Sequence, residues 1–116
     1  MDFEYSEEQQ LLRDSVERFV REHYTFDARR AIVAGARGFS AQHWQLFAEL
    51  GWLALPVAED DGGLGGNLTD LAILFEQFGR GLVVEPVLAT VVLGAGLVSE
   101  LGSLVQRESM LPAIVA

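Results

Sequence analysis

The chain has 116 residues, half of them apolar, enough for one compact module with its own core and no need of metal or disulfide staples. It contains no cysteine, which removes disulfide frameworks, thiolate metal sites, cysteine nucleophiles and CxxC redox chemistry together. Seventeen acidic residues against eight basic ones leave a formal charge of −9, which repels a phosphate backbone and argues against nucleic acid as a partner.

Met1 to Gln10 is acidic and polar, unlike a signal or transit peptide. Ser6-Glu7-Glu8-Gln9 has the form of a capping box, so a first helix starts there and runs to about Tyr24, with Phe3 and Tyr5 ahead of the cap and Leu12, Val16, Phe19, Val20 and His23 on its inner stripe. Asp27 is the expected cap of a second helix, Ala28 to Ala34, which Gly35 and Gly38 can end. Ser40 caps a third, with Trp44, Phe47 and Leu50 inward and Gly51 at its end. A loop follows, holding Trp52 to Leu55, Pro56, the acidic run Glu59-Asp60-Asp61 and Gly62-Gly63-Leu64-Gly65-Gly66. Asn67, with Asp70 three positions on, opens a fourth helix bearing Leu71, Leu74, Phe75 and Phe78 and closed by Gly79-Arg80-Gly81. Pro86 suits the first turn of a fifth helix to about Leu101. Ser103 to Gln106 repeats the capping box and opens a sixth, which Pro112 should stop or restart. No strand alternation emerges, and the expected fold is all-α, an up-and-down type bundle of about six helices within a single domain, residues 1–116.

The longest uncharged stretch, Pro86 to Ser99, has fourteen residues, short of the ~20 a membrane-spanning helix needs. A cytoplasmic protein without a membrane span is the expectation. The fifth helix is nonetheless apolar around its circumference and needs cover on every side, and the chain stops at the apolar run Leu111 to Ala116. Both features suggest the front piece of a longer polypeptide.

Candidate chemistry is sparse. The glycine-rich loop before a helix invites a phosphate, but no Gly-Lys-Ser/Thr follows, no Rossmann-type strand precedes it, and three carboxylates stand directly upstream; a tight structural loop is the stronger reading. One copy of a calcium-binding glycine repeat also fits Gly62 to Asp70, but that motif works only in stacks. His23 and His43 are too few for a zinc site, Glu59 and Asp60 lack an apolar wall to split their pKa values, and no serine sits in a nucleophile elbow. No catalytic, cofactor-binding or metal-binding residue is therefore assigned. The fifth helix says more. Gly94 and Gly96 in its interior each cost ~1 kcal/mol against Ala and ask for a compensating contact. Steps of about 100° put Pro86, Ala89, Thr90, Leu93 and Leu97 on one face with Gly96 at its edge. Close helix–helix packing is one explanation; a wall for an apolar ligand tail is the other.

Several stretches in register resemble the amino-terminal helical domain of the acyl-CoA dehydrogenase family: Met1-Asp2-Phe3 with Ser6 to Gln9, Phe47-Ala48-Glu49-Leu50-Gly51-Trp52-Leu53, Pro56 followed by Gly62 to Gly66, Phe75-Glu76-Gln77-Phe78-Gly79-Arg80, and Gly102 through Leu111-Pro112. Leu82 to Val92 is most similar to a bacterial branch that includes the small subunits of pimeloyl-CoA dehydrogenases. The resemblance implies a three-domain parent that oxidises an acyl-CoA thioester to the trans-2-enoyl-CoA, with FAD between the second and third domains and a glutamate base near the carboxyl terminus. Neither the base nor the main flavin contacts would lie in this chain, so it is expected to bind no FAD and to be inactive alone. The resemblance further implies that Ala89, Thr90 and Leu93, with Pro86 and Leu97 as neighbours, line the far end of the acyl cavity. Acyl-CoA would be the parent's substrate, its electron acceptor stays unassigned, and a homo- or hetero-oligomer is expected. A non-catalytic helical interaction or dimerisation subunit is the rival reading, and a free-standing acyl carrier a third.

Overall fold

The computed structural model describes residues 4–116; Met1, Asp2 and Phe3 lie outside the described residues. Among the described residues every regular element is helical: α1 (Glu7–His23), α2 (Phe26–Ala34), α3 (Ala41–Glu49), a 3₁₀ turn (Glu59–Asp61), α4 (Leu68–Gly81), a π-helical segment (Leu88–Gly94), α5 (Ala95–Leu101) and α6 (Leu104–Val115). They form two units, one made of the chain up to Phe39 with Thr69–Val84, the other of Ser40–Leu68 with Glu85–Ala116.

In the first unit, α1 begins as its sequence dictates. Ser6 Oγ accepts the Gln9 N–H at 3.1 Å and Gln9 Oε1 accepts the Ser6 N–H at 3.0 Å, so two orphan donors of the first turn are satisfied reciprocally. The Gln9 amide then donates to Asp70 Oδ1 at 3.0 Å, joining the first turns of α1 and α4. Val16 and Phe19 are buried; His23, expected on the inner stripe, is exposed and lies against Phe19 with ring centroids 5.0 Å apart. The cap of α2 is Thr25, not Asp27: Thr25 Oγ1 accepts the Ala28 N–H at 3.2 Å. The helix thus starts at Phe26 and takes Asp27 into its first turn, where a carboxylate faces the positive end of the macrodipole.

The inner face of α4 is Ile73, Leu74, Gln77 and Phe78, broader than the stripe of Leu71, Leu74, Phe75 and Phe78. Its end departs from the glycine rule. A Cβ on Gly81 would lie 2.5 Å from Val20 Cγ1, so Gly81 serves the close approach of α4 to α1. The left-handed position falls one residue later, on Leu82 at φ 52°, in a region that L-residues seldom enter. The Leu82 carbonyl accepts a hydrogen bond from Arg29 Nε at 2.9 Å, and the Tyr24 hydroxyl accepts the Val84 N–H at 3.4 Å.

In the second unit Phe47 of α3 and Trp52, Leu53, Ala54, Leu55 and Val57 of the following turns are buried. Leu50, expected inward, is 46% exposed because α3 ends at Glu49 and the chain turns at Gly51 (φ +80°). Val57, Ala95 and Leu111 form a core on which Val98, Ile114 and Val115 pack. That core explains why Pro112 neither stops nor restarts α6, which runs unbroken to Val115. Pro112 gives up one backbone bond, but Leu111 before it and Ile114 and Val115 after it are held by the same cluster. Arg107 Nη2 also reaches Asp61 Oδ2 at 3.4 Å, tying α6 to the 3₁₀ turn.

Candidate functional site

Continuation of one regular α-helix from Pro86 to Leu101 is not what the chain does. Leu88 to Gly94 winds as a π-helix, with the Ala95 N–H bonded to the Thr90 carbonyl five residues back, and only Ala95 to Leu101 is α-helical. Such windings are rare and recur at functional sites. They have a geometric consequence here. Residues four apart over-rotate in an α-helix of 3.6 residues per turn and under-rotate in the wider π winding, so across this mixed segment rows of every fourth residue run nearly straight. One row, Val87, Val91 and Ala95, is buried at 1–2% exposure. The opposite row, Ala89, Leu93, Leu97 and Leu101, is exposed, with the two middle leucines at 56% and 60%.

The five residues singled out from the sequence therefore lie as follows. Pro86, Ala89, Leu93 and Leu97 are exposed, and Thr90 is half-buried at the margin between the two rows. Leu88, absent from the five, is 57% exposed. The helix needs cover on every side by its composition, and this chain supplies it on one side only. Nor do the glycines meet another helix. A Cβ on Gly94 would meet only the Ala89 carbonyl oxygen, at 3.2 Å, and one on Gly96 would have nothing within 4 Å. A side chain at Gly94 would thus press on the backbone of its own segment, while Gly96 faces open space.

The glycine-rich loop is a finished structural element. Gly62 (φ +90°) and Gly65 (φ +65°) take left-handed conformations, and a Cβ on Gly63 would collide with the Val57 carbonyl. Each N–H from Gly62 to Gly66 is spent on a chain carbonyl, in order those of Glu59, Ala58, Ala54, Val57 and Leu55, at 2.7–3.0 Å. None is left to hold an anion, whose binding at such loops depends on convergent free N–H groups. Glu59 and Asp60 are solvated, and among the described residues no group of three or more His, Asp or Glu could hold a metal ion. No described helix is long and apolar enough to cross a membrane.

One arrangement escaped the sequence reading. The Glu85 side chain is fully buried; its Oε2 accepts the Ser40 N–H at 3.2 Å and its Oε1 lies 3.3 Å from His43 Nδ1. The available signal was a lone carboxylate beside a proline in an apolar stretch.

Comparison with known proteins gives a consistent answer. The family model described as acyl-CoA dehydrogenase, N-terminal domain, matches residues 6–116. The acyl-CoA dehydrogenase IpdE2 of Mycolicibacterium smegmatis is 38% identical over 95 residues, 81% of this chain and 30% of that protein. Its Mycobacterium tuberculosis namesake is 42% identical over 85 residues, 72% of this chain and 27% of that protein. Among solved structures, a variant of the Tcur3481–Tcur3483 steroid ACAD superposes with a TM-score of 0.85 at 29% identity, over 94% of this chain and 30% of that one. The ChsE4–ChsE5 complex from Mycobacterium tuberculosis does so at 0.78, with 23% identity over 99% and 29%, a likeness of fold. The chain thus spans about 30% of the length of the relatives it matches.

Proposed function

From the premise that this chain belongs to the acyl-CoA dehydrogenase family as its N-terminal domain, we propose that residues 1–116 are the helical domain of a three-domain dehydrogenase, with Pro86, Ala89, Thr90, Leu93 and Leu97 as the wall against which the acyl group lies. The observation that carries the reading is the straight apolar row Ala89, Leu93 and Leu97, left open by its own chain, with open space also at Gly96. Its work is physical. Aliphatic surface strips water from the acyl chain, at roughly 25 cal/mol per Å² buried, and its relief admits or rejects bulk at ~1–3 kcal/mol per methylene.

The parent's reaction is the α,β-dehydrogenation of an acyl-CoA thioester to a trans-2-enoyl-CoA, for which FAD is the bound oxidant. The residues present do not fit that cofactor: the one loop suited to a pyrophosphate has its N–H groups committed to chain carbonyls. Flavin contacts and the catalytic base are assigned to the polypeptide that the relatives carry beyond this third, so this domain alone takes up no FAD and turns over no substrate. Likeness to a steroid ACAD favours a bulky, steroid-derived acyl group over a short linear one, and the paired name of that relative favours an oligomeric parent, homomeric or heteromeric. Leu101, Leu104 and Val105, at 80%, 67% and 73% exposure, favour a second reading, a non-catalytic interaction subunit.

Ala89→Phe in the complete dehydrogenase tests the wall. It should lower kcat/KM for fused-ring acyl-CoAs at least tenfold more than for short ones. Equal loss on both would refute the assignment, and a complete protein without dehydrogenase activity or flavin would favour the second reading.

A further inference from the structure

Among the described residues three helices open on a serine cap, and they complete it in two ways. In α1 and α6 the residue three positions after the serine, Gln9 or Gln106, reaches back to the cap's own N–H at 3.0 and 2.9 Å. In α3 that position is His43. Ser40 Oγ still accepts the His43 N–H at 3.1 Å, but the Ser40 N–H is satisfied from 45 residues away, by Glu85 Oε2. The second Glu85 oxygen faces His43 Nδ1 at 3.3 Å. A buried carboxylate is costly unless hydrogen-bonded and set in a favourable field. The amino terminus of α3 supplies both the donor and the positive end of a helix dipole.

Glu85 also begins the turn that leads into the wall. Its carbonyl accepts the Val87 N–H at 2.8 Å around Pro86, and the Pro86 carbonyl accepts the Thr90 N–H at 3.1 Å. The π segment has no side-chain cap of its own. We propose that Glu85 is a positioning residue, the remote half of the α3 capping box, which anchors the 85–87 turn to α3 and thereby sets the aim of Ala89, Leu93 and Leu97. This rests on the acyl-wall reading and adds a determinant of specificity that does not touch the acyl group.

The test uses the complete dehydrogenase and compares KM and kcat for a fused-ring and a short acyl-CoA. Glu85→Ala should raise KM for the bulky substrate about tenfold, the equivalent of ~1.4 kcal/mol, with kcat and the short substrate changed less than about twofold. Glu85→Gln keeps an oxygen for the Ser40 N–H and should restore selectivity. The double variant Glu85→Ala with His43→Gln separates positioning from stability, because Ser40-Ala41-Gln42 followed by glutamine rebuilds a local box like those of α1 and α6. It should recover the unfolding midpoint and not the selectivity. Recovery of both would show that Glu85 only caps a helix, and a glutamine variant that loses selectivity as fully as alanine would also overturn the proposal. Ala89→Phe in the same series keeps the two readings apart: if it leaves selectivity unchanged, the wall itself fails; if it alters selectivity and Glu85→Ala does not, only the anchor fails.

Discussion

Gly63→Ala should be among the most damaging single-methyl additions this chain can suffer. The new Cβ would overlap the carbonyl oxygen and carbon of Val57, far inside van der Waals contact and against backbone, so no side chain can swing away. Relief requires parting the two strands of the loop, and these are joined by Gly63 N–H to the Ala58 carbonyl at 3.0 Å and Gly65 N–H to the Val57 carbonyl at 2.8 Å. Overpacking costs ~1–3 kcal/mol and each weakened hydrogen bond ~0.5–1.5 kcal/mol, so a loss of about 3 kcal/mol is expected. Gly79→Ala is the matched control. Gly79 lies exposed in α4, where a Cβ meets nothing within 4 Å, so the helix should gain ~0.5–1 kcal/mol. Urea unfolding of the chain, followed by far-ultraviolet circular dichroism, reads both. Equal midpoints for the two variants would mean that the loop does not hold the close approach described, and would reopen the possibility that its glycines serve a ligand.

Leu111→Ala removes a fully buried side chain from the cluster of Val57 and Ala95 and should cost ~2–5 kcal/mol, whereas Leu97→Gln on the open row should change the unfolding free energy of the chain by less than ~0.5 kcal/mol; the same denaturation curves check both. Thr25→Ala should destabilise by about 1 kcal/mol and Asp27→Ala by less, since the first removes a cap bond and the second only a dipole contact. A larger effect at Asp27 would show that α2 begins where the sequence pattern put it.

Local chemistry determined most of the helix map. Ser6 with Gln9 and Ser103 with Gln106 close bonds that span three residues, and such bonds are written wherever the residue types occur at that spacing. The spacing of Val16 with Phe19 and of Leu74 with Phe78 likewise states which sides of α1 and α4 face inward. A strict α-helical wheel also grouped Ala89, Leu93 and Leu97, which lie on one exposed row, but it took in Thr90, which the π winding leaves half-buried at the margin.

Tertiary structure decided whatever depended on a distant partner. Gly81 does end α4, as its sequence suggests, but its missing side chain makes room for Val20 and the left-handed residue is Leu82. Pro112 reads as a break until the core on both sides of it holds α6 together. A run of four glycines around Leu64 reads as an anion cradle or a turn alike, and only the five carbonyls that take its N–H groups separate the two. Glu85 is the sharpest case, a lone charge whose meaning is the serine N–H 45 positions earlier. Bonds within one helical turn are encoded by neighbours in the chain, but a contact between segments exists only once packing has brought them together.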